Sequence, residues 1–192
     1  MVAEAQIMAI VPWNNTQDSS LTLTNVSFSN NNLGEVNGLF SIEFGKATVT
    51  ITGLTLSNNT ASGNVLFINM NGDLTMSESH FLGNVINNST STACVVASVG
   101  GGTLHVFDIT THHNGDNQLG LDNPVLNSNC FATTSCILED LVLEGDSIFL
   151  NSQNSTTALS NVVIRNSTKG GVYLYVTEGS HVDVVNVDIR DT

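Results

Sequence analysis

Seven segments of this chain share one pattern of eleven residues, and this repetition constrains the fold more than any other feature of the sequence. Their starts lie 28, 25, 30, 32, 21 and 25 residues apart, at Leu21, Val49, Leu74, Leu104, Cys136, Thr157 and Val182. An irregular period of this kind is typical of a solenoid whose turns carry loops of different length. We therefore expect each segment to form one rung of a stack.

Within each segment, the spacing of apolar residues predicts two short strands joined by a bend. The first, third, sixth and eighth positions are mostly apolar, as in Val49, Ile51, Leu54 and Leu56. Alternation with a period of two is typical of a half-buried strand. The fifth and eleventh positions carry mainly Asn, Asp and Gly, which favour tight bends. Both strands are thus predicted to point their apolar side chains into one interior.

A third apolar alternation predicts a further strand in most rungs. It is visible at Phe40-Ile42-Phe44, Leu66-Ile68-Met70, Val95-Ala97-Val99, Ile148-Leu150 and Val172-Leu174-Val176. The chain is therefore predicted to be an all-β, single-stranded parallel β-helix of about seven rungs, each with three short strands. Right-handed winding is expected because parallel crossovers are almost always right-handed. The alternative, an antiparallel β-sandwich, would show hairpin turns every 8–12 residues.

The same pattern sets the predicted domain organisation. Residues 1–20 are expected to form an N-terminal cap or partial first rung, and residues 21–192 the β-helix repeats. A protruding loop is predicted at about 110–135, where the alternation breaks and Pro124 occurs. Because the repeat is still running at Thr192, we expect the chain to be a fragment of a longer protein.

Charge and hydropathy exclude two classes of partner. The chain has 17 acidic and 4 basic residues, with a formal net charge of -13. Such a chain repels phosphate backbones, so nucleic acid is not expected as a partner. No apolar run is long enough for a membrane-spanning helix, so no membrane insertion is expected in this segment.

The aligned segments resemble the pectate-lyase-like superfamily of right-handed parallel β-helices. More narrowly, Phe28–Asn31 and Phe81–Asn84 are similar to the FxxN repeats of polymorphic outer-membrane proteins, and Gly170–Tyr173 resembles their glycine-glycine-aliphatic motif. This resemblance covers about Leu21 to Thr192. It implies a secreted, surface-displayed protein used in adhesion.

The catalytic motifs that the superfamily resemblance would imply are missing from the sequence. Lyases of that superfamily need a basic residue beside acidic calcium ligands, and its hydrolases need clustered aspartates with Gly-His-Gly and Arg-x-Lys. The basic residues here are only Lys46, Arg165, Lys169 and Arg190, and neither hydrolase motif occurs. We therefore predict a non-enzymatic protein without a cofactor.

Two groups of residues were candidate metal ligands. His112 and His113 lack an evident third ligand, which favours a solvated loop over a metal site. Asp140, Asn161 and Asn186 share the fifth position, and such oxygen-rich corners can bind calcium. More often, corners of this kind form hydrogen-bonded asparagine ladders, which is the interpretation we favour.

Cysteines and glycosylation sequons are consistent with a secreted chain. Cys130 and Cys136 are candidates for a disulfide if the protein is extracellular, with Cys94 left over. If the source is eukaryotic, glycans are expected at several of the candidate N-x-S/T sequons, which are Asn14, Asn58, Asn87, Asn88, Asn154 and Asn166.

These features lead to two functional hypotheses. The first is a non-enzymatic extracellular structural or adhesive scaffold, a segment of a larger surface or filament-forming glycoprotein. Open strand edges at its ends would stack on other segments or copies of the same protein. The alternative is a carbohydrate-active enzyme or carbohydrate-binding β-helix, in which Trp13, Tyr173 and Tyr175 stack on sugars.

Overall fold

The computed structural model describes residues 8–10, 19–32, 38–86, 95–114, 125–167, 171–177 and 179–191. All regular elements in these ranges are strands, so the predicted all-β fold is confirmed. In chain order they are β1 Met8–Ile10, β2 Ser19–Thr24, β3 Ser27–Ser29, β4 Gly38–Thr52, β5 Thr55–Ser57, β6 Thr60–Ala61, β7 Asn64–Leu82, β8 Val85–Ile86, β9 Val95–Gly100, β10 Thr103–His112, β11 Leu126–Phe131, β12 Ser135–Glu144, β13 Ile148–Gln153, β14 Thr156–Arg165, β15 Val172–Val176 and β16 His181–Arg190.

The strands wind into a parallel β-solenoid of about six turns, close to the seven rungs predicted. Every pairing between described strands is parallel. We call repeat positions one to five the first face and positions six to nine the second face. The third face contains β1, β9, β11, β13 and β15 with residues 38–44 and 64–71. β7 runs through all three faces, so one strand shows the course of a whole rung.

The pairing register is the one predicted by aligning the repeats. The seven starting residues are in register, in the order Leu21, Val49, Leu74, Leu104, Cys136, Thr157 and Val182. A slip of one residue would turn every apolar side chain outward, so burial of the interior specifies this register. Ile51, Met76 and Leu138, which share the third position, are fully buried.

The bends between faces have a left-handed backbone at fixed positions. At the fifth position, φ lies between 50° and 69° in Asn25, Gly53, Glu78, Asp108, Asp140, Asn161 and Asn186. Asn, Asp and Gly tolerate this conformation better than other residues, which explains their frequency there. The second bend corrects the prediction, because its left-handed residue is at the tenth position, as in Asn58 and His113, and not at the eleventh.

Part of the interval predicted as a protruding loop, 110–135, forms strands. Thr110–His112 ends β10, and Leu126–Phe131 forms β11 on the third face. The inward positions of β11 are Leu126, Ser128 and Cys130. Because a serine interrupts the apolar alternation, the pattern concealed this strand. Residues 115–124 lie outside the described part of the chain.

Candidate functional site

The eleventh position of the repeat forms a buried column of amides, which we call the asparagine ladder. Its members are Asn31, Asn59, Asn84, Asn114 and Asp146. Each Asn Nδ2 donates to the side-chain oxygen of the next member, at 2.8, 2.9, 2.7 and 3.0 Å in that order. Each Asn backbone N–H donates to the next member too, at 2.7–3.1 Å. The ladder therefore ties successive rungs together at one corner.

The ladder also satisfies backbone carbonyls of the preceding rung. Asn59 Nδ2 donates to the Phe28 carbonyl at 2.8 Å, and Asn84 Nδ2 donates to the Leu56 carbonyl at 2.8 Å. Asn114 repeats this contact one rung later. Both hydrogens of each of these amides are used inside the protein. These three amides are therefore structural and offer no free donor to a ligand.

Asp146 is the one carboxylate in this buried column. Only 3% of its surface is exposed. Burial raises the pKa of Asp146 above its ordinary value of 3.8, and hydrogen bonds from the Thr111 side chain and from Asn114 oppose this rise only in part. An ionised Asp146 accepts from Asn114 but has no hydrogen to donate. Asn114 is thus followed in the column by an acid, whereas each earlier member is followed by an amide.

The fifth position of the repeat, for which the sequence offers a calcium site as an alternative, forms a second, exposed ladder. Asn161 Nδ2 donates to Asp140 Oδ1 at 3.0 Å, and Asn186 Nδ2 donates to Asn161 Oδ1 at 3.1 Å. These two oxygens therefore face amide hydrogens of the next rung. Hydrogen bonding between rungs accounts for this column.

A cluster of three possible metal ligands lies at the corner between rungs four and five. We call His112, His113 and Glu144 the histidine cluster. One ligand atom from each residue lies within 4.8 Å of the others. Sequence reasoning missed Glu144 because it belongs to the following rung. The sequence does carry a signal for Glu144, because His112 and Glu144 share the ninth position of the repeat. The two residues pair in register there.

Two other described histidines, His105 and His181, differ from this cluster. His105 Nε2 lies 2.7 Å from Glu139 Oε1, and His181 Nε2 lies 3.2 Å from Asp183 Oδ2. Each of these histidines contacts one carboxylate, with no third ligand within reach among the described residues. They provide controls for the behaviour of a simple histidine–acid pair.

Amides and aromatic rings cover part of the outer surface of the third face. Tyr173 and Tyr175 are 38% and 55% exposed, in register with Phe149 and Asn151. Asn151 Nδ2 donates to Asn129 Oδ1 at 3.2 Å. We call this surface the tyrosine–amide face. Trp13, the third aromatic residue proposed for sugar stacking, lies outside the described residues.

The cysteines and sequons are placed as follows. Cys130 and Cys136 form a disulfide with Cα atoms 6.4 Å apart, and both residues are buried. It joins β11 to β12 across a tight bend. Asn58, Asn154 and Asn166 are exposed. The sequons at Asn14, Asn87 and Asn88, together with Cys94, lie outside the described residues.

The last rung exposes residues that are buried in earlier rungs. Val184 and Ile189 occupy the third and eighth positions, where Leu159 and Ile164 of the preceding rung are fully buried. Val184 is 48% exposed and Ile189 is 45% exposed. On the third face, Leu174 is in register with buried Leu150 but is itself exposed. We call this surface the apolar end.

Comparisons with known proteins add no family assignment. No protein-family model matches the chain, and no curated protein or solved structure is significantly similar to it. The parallel β-solenoid is therefore shown by the structure, whereas a closer relation to pectate lyases or FxxN repeats has no support from homologues. In the described part of the chain, no helix has the length and apolar character needed to cross a membrane.

Proposed function

We propose that this chain is a non-enzymatic, extracellular scaffold segment that assembles end to end. The apolar end carries the proposal. Val184, Ile189 and Leu174 continue buried apolar columns, yet nearly half of each side chain is exposed. A further rung would bury these side chains and pair the open edges of β15 and β16.

The surface fits a further rung of the same kind, which another segment of the same protein or a second copy of this chain would supply. At the opposite end, the first rung holds Leu21, Val26 and Phe28, which are only partly buried against the core. Phe28 occupies the eighth position of the repeat, the column to which Ile189 of the apolar end belongs. Head-to-tail contact of this kind does not close on itself and therefore builds a filament.

Two further observations favour an extracellular location. The Cys130–Cys136 disulfide is a type of bond that persists in oxidising compartments. Exposed sequons at Asn58, Asn154 and Asn166 are accessible to glycosylation. An adhesive surface protein of the FxxN type is the specific form of this proposal that the sequence resemblance favours.

Substitution of the apolar end is expected to abolish self-association. The wild-type chain should form species larger than 20.3 kDa in light scattering after size exclusion, increasingly so at higher concentration. The double variant Val184→Lys/Ile189→Lys should remain monomeric, because two charges on an open strand edge prevent pairing.

A matched control for that experiment is Val142→Lys. Val142 is also exposed, at 41%, but it lies on the outer side of the second face. The Val142→Lys variant should self-associate to the same extent as the wild-type chain. A wild-type chain that stays monomeric at all concentrations, or an end variant that associates equally well, would contradict end-to-end assembly.

The tyrosine–amide face favours carbohydrate binding as a second candidate function. Exposed Tyr rings offer flat apolar surfaces for sugar stacking, with a hydroxyl at the edge. Neighbouring amides such as Asn151 and Gln153 supply hydrogen-bond donors and acceptors at regular spacing along the rungs. This pairing of residue types suits a neutral polysaccharide better than an acidic one, because the chain is strongly acidic.

Removal of one ring is expected to weaken glycan binding without affecting assembly. On an array of neutral polysaccharides, Tyr175→Ala should lose most of the wild-type signal, whereas His105→Ala on the first face should keep it. Glycan signals that are absent from the wild type, or equal in the two variants, would remove this candidate.

A further inference from the structure

We propose that the histidine cluster is a binding site for a divalent transition metal, for which zinc is the representative ion. His112 and His113 follow each other at the end of β10, and Glu144 ends β12 in the next rung. The fold thereby brings ligands from two rungs to one corner, independently of the assembly proposed above.

The geometry leaves the three ligands free to bind an ion. His112 Nε2 and Glu144 Oε2 are 3.7 Å apart, too far for a hydrogen bond between them. The two imidazole rings meet edge to face, with centroids 4.2 Å apart. Tetrahedral zinc, with bonds of about 2.0–2.1 Å, holds its ligand atoms roughly 3.3 Å apart. The three ligand atoms now lie within 4.8 Å of one another, and small side-chain rotations would bring them to this spacing.

The backbone at this corner lets the second histidine reach the neighbouring rung. His113 has a left-handed φ of 48°, and Gly145 lies beside it with φ of 73°. A Cβ at position 145 would be only 2.0 Å from His113 Nδ1. Gly145, which directly follows Glu144, therefore leaves the space that the His113 imidazole occupies.

The ligand types select the class of metal. Two imidazole nitrogens and one carboxylate suit zinc and its neighbours in the transition series, whereas calcium and magnesium prefer oxygen ligands only. The formal net charge of -13 favours any cation. Arg165 pairs in register with Glu144 in the following rung and carries a charge of the same sign as the metal. Three protein ligands leave the fourth position to water.

Titration of the whole chain with zinc chloride at pH 7.5 tests this site. Calorimetry should show one zinc ion per chain. At zinc a hundredfold above the dissociation constant, thermal unfolding should shift upward by about 5–10 °C. Glu144→Gln keeps the shape of the side chain and should weaken zinc binding at least about tenfold, as should His112→Ala.

His181→Ala is the matched control, because His181 is an exposed histidine paired with a single acid, Asp183. Its zinc affinity should equal that of the wild type. Circular dichroism of each variant without zinc should be unchanged, since the substituted side chains are exposed or half-buried. Absent binding, binding that survives both cluster substitutions, or an equal loss in the control would each overturn the proposal.

Discussion

Replacement of Asn84 by alanine is expected to lower the free energy of unfolding by about 3 kcal/mol or more, since each orphaned buried polar group costs about 1–3 kcal/mol. The Asn59 backbone N–H and Nδ2 would both lose their acceptor. The Leu56 carbonyl would lose the Asn84 Nδ2 donor, and Asn114 Oδ1 would lose one of its two hydrogen bonds. A small cavity adds to the cost, because Asn84 is fully buried.

Urea unfolding followed by circular dichroism measures this loss. Asn69→Ala is the control, because Asn69 is an exposed asparagine on the third face and its truncation should change stability by less than about 0.5 kcal/mol. Equal stability of the Asn84→Ala and Asn69→Ala variants would show that the ladder contributes nothing specific.

Replacement of Asp146 by asparagine is expected to stabilise the protein at neutral pH, by about 1–3 kcal/mol on the scale of one buried polar group. The new amide would supply a donor to the carbonyl of the preceding rung, which is that of Thr111 by analogy with Leu56 and Phe81. It would also remove a buried negative charge. The Asp146→Asn variant would thereby extend the asparagine ladder by one member.

The pH dependence of this gain has a defined sign. Burial raises the pKa of Asp146 in the folded state, so folding favours its protonated form. Its contribution to stability is therefore fully present below about pH 3.8 and is lost as the pH rises through the higher folded pKa. The advantage of Asp146→Asn should be smallest near pH 3 and grow toward pH 7. An advantage that is constant with pH, or greatest in acid, would show that Asp146 does not titrate as its burial implies.

Much of the fold follows from the sequence because the repeat encodes both register and side-chain direction. Aligning Val49 with Leu74 is enough to state that the two residues pair, and they do. The buried columns follow for the same reason, since a period of two assigns every residue to the inside or the outside. The strand at Leu126–Phe131 was missed because the interior tolerates a serine there, and so the apolar signal fell below recognition.

The candidate sites depended far more on the tertiary structure. Residue type and spacing identified His112 and His113, but their third ligand, Glu144, is distant in sequence and adjacent only after stacking. The bend was likewise placed one position late, because Asn serves both as a left-handed residue and as a buried ladder amide.

The sequence by itself therefore determined the architecture, the register and the inward columns, because each is a periodic property that repeats in every rung. Only the tertiary structure decided which single residues meet across rungs, such as the histidine cluster, the acid in the asparagine ladder and the exposed apolar end. The repeat assigns these residues to shared columns, but it does not specify the side-chain conformations and the burial that decide what they contact.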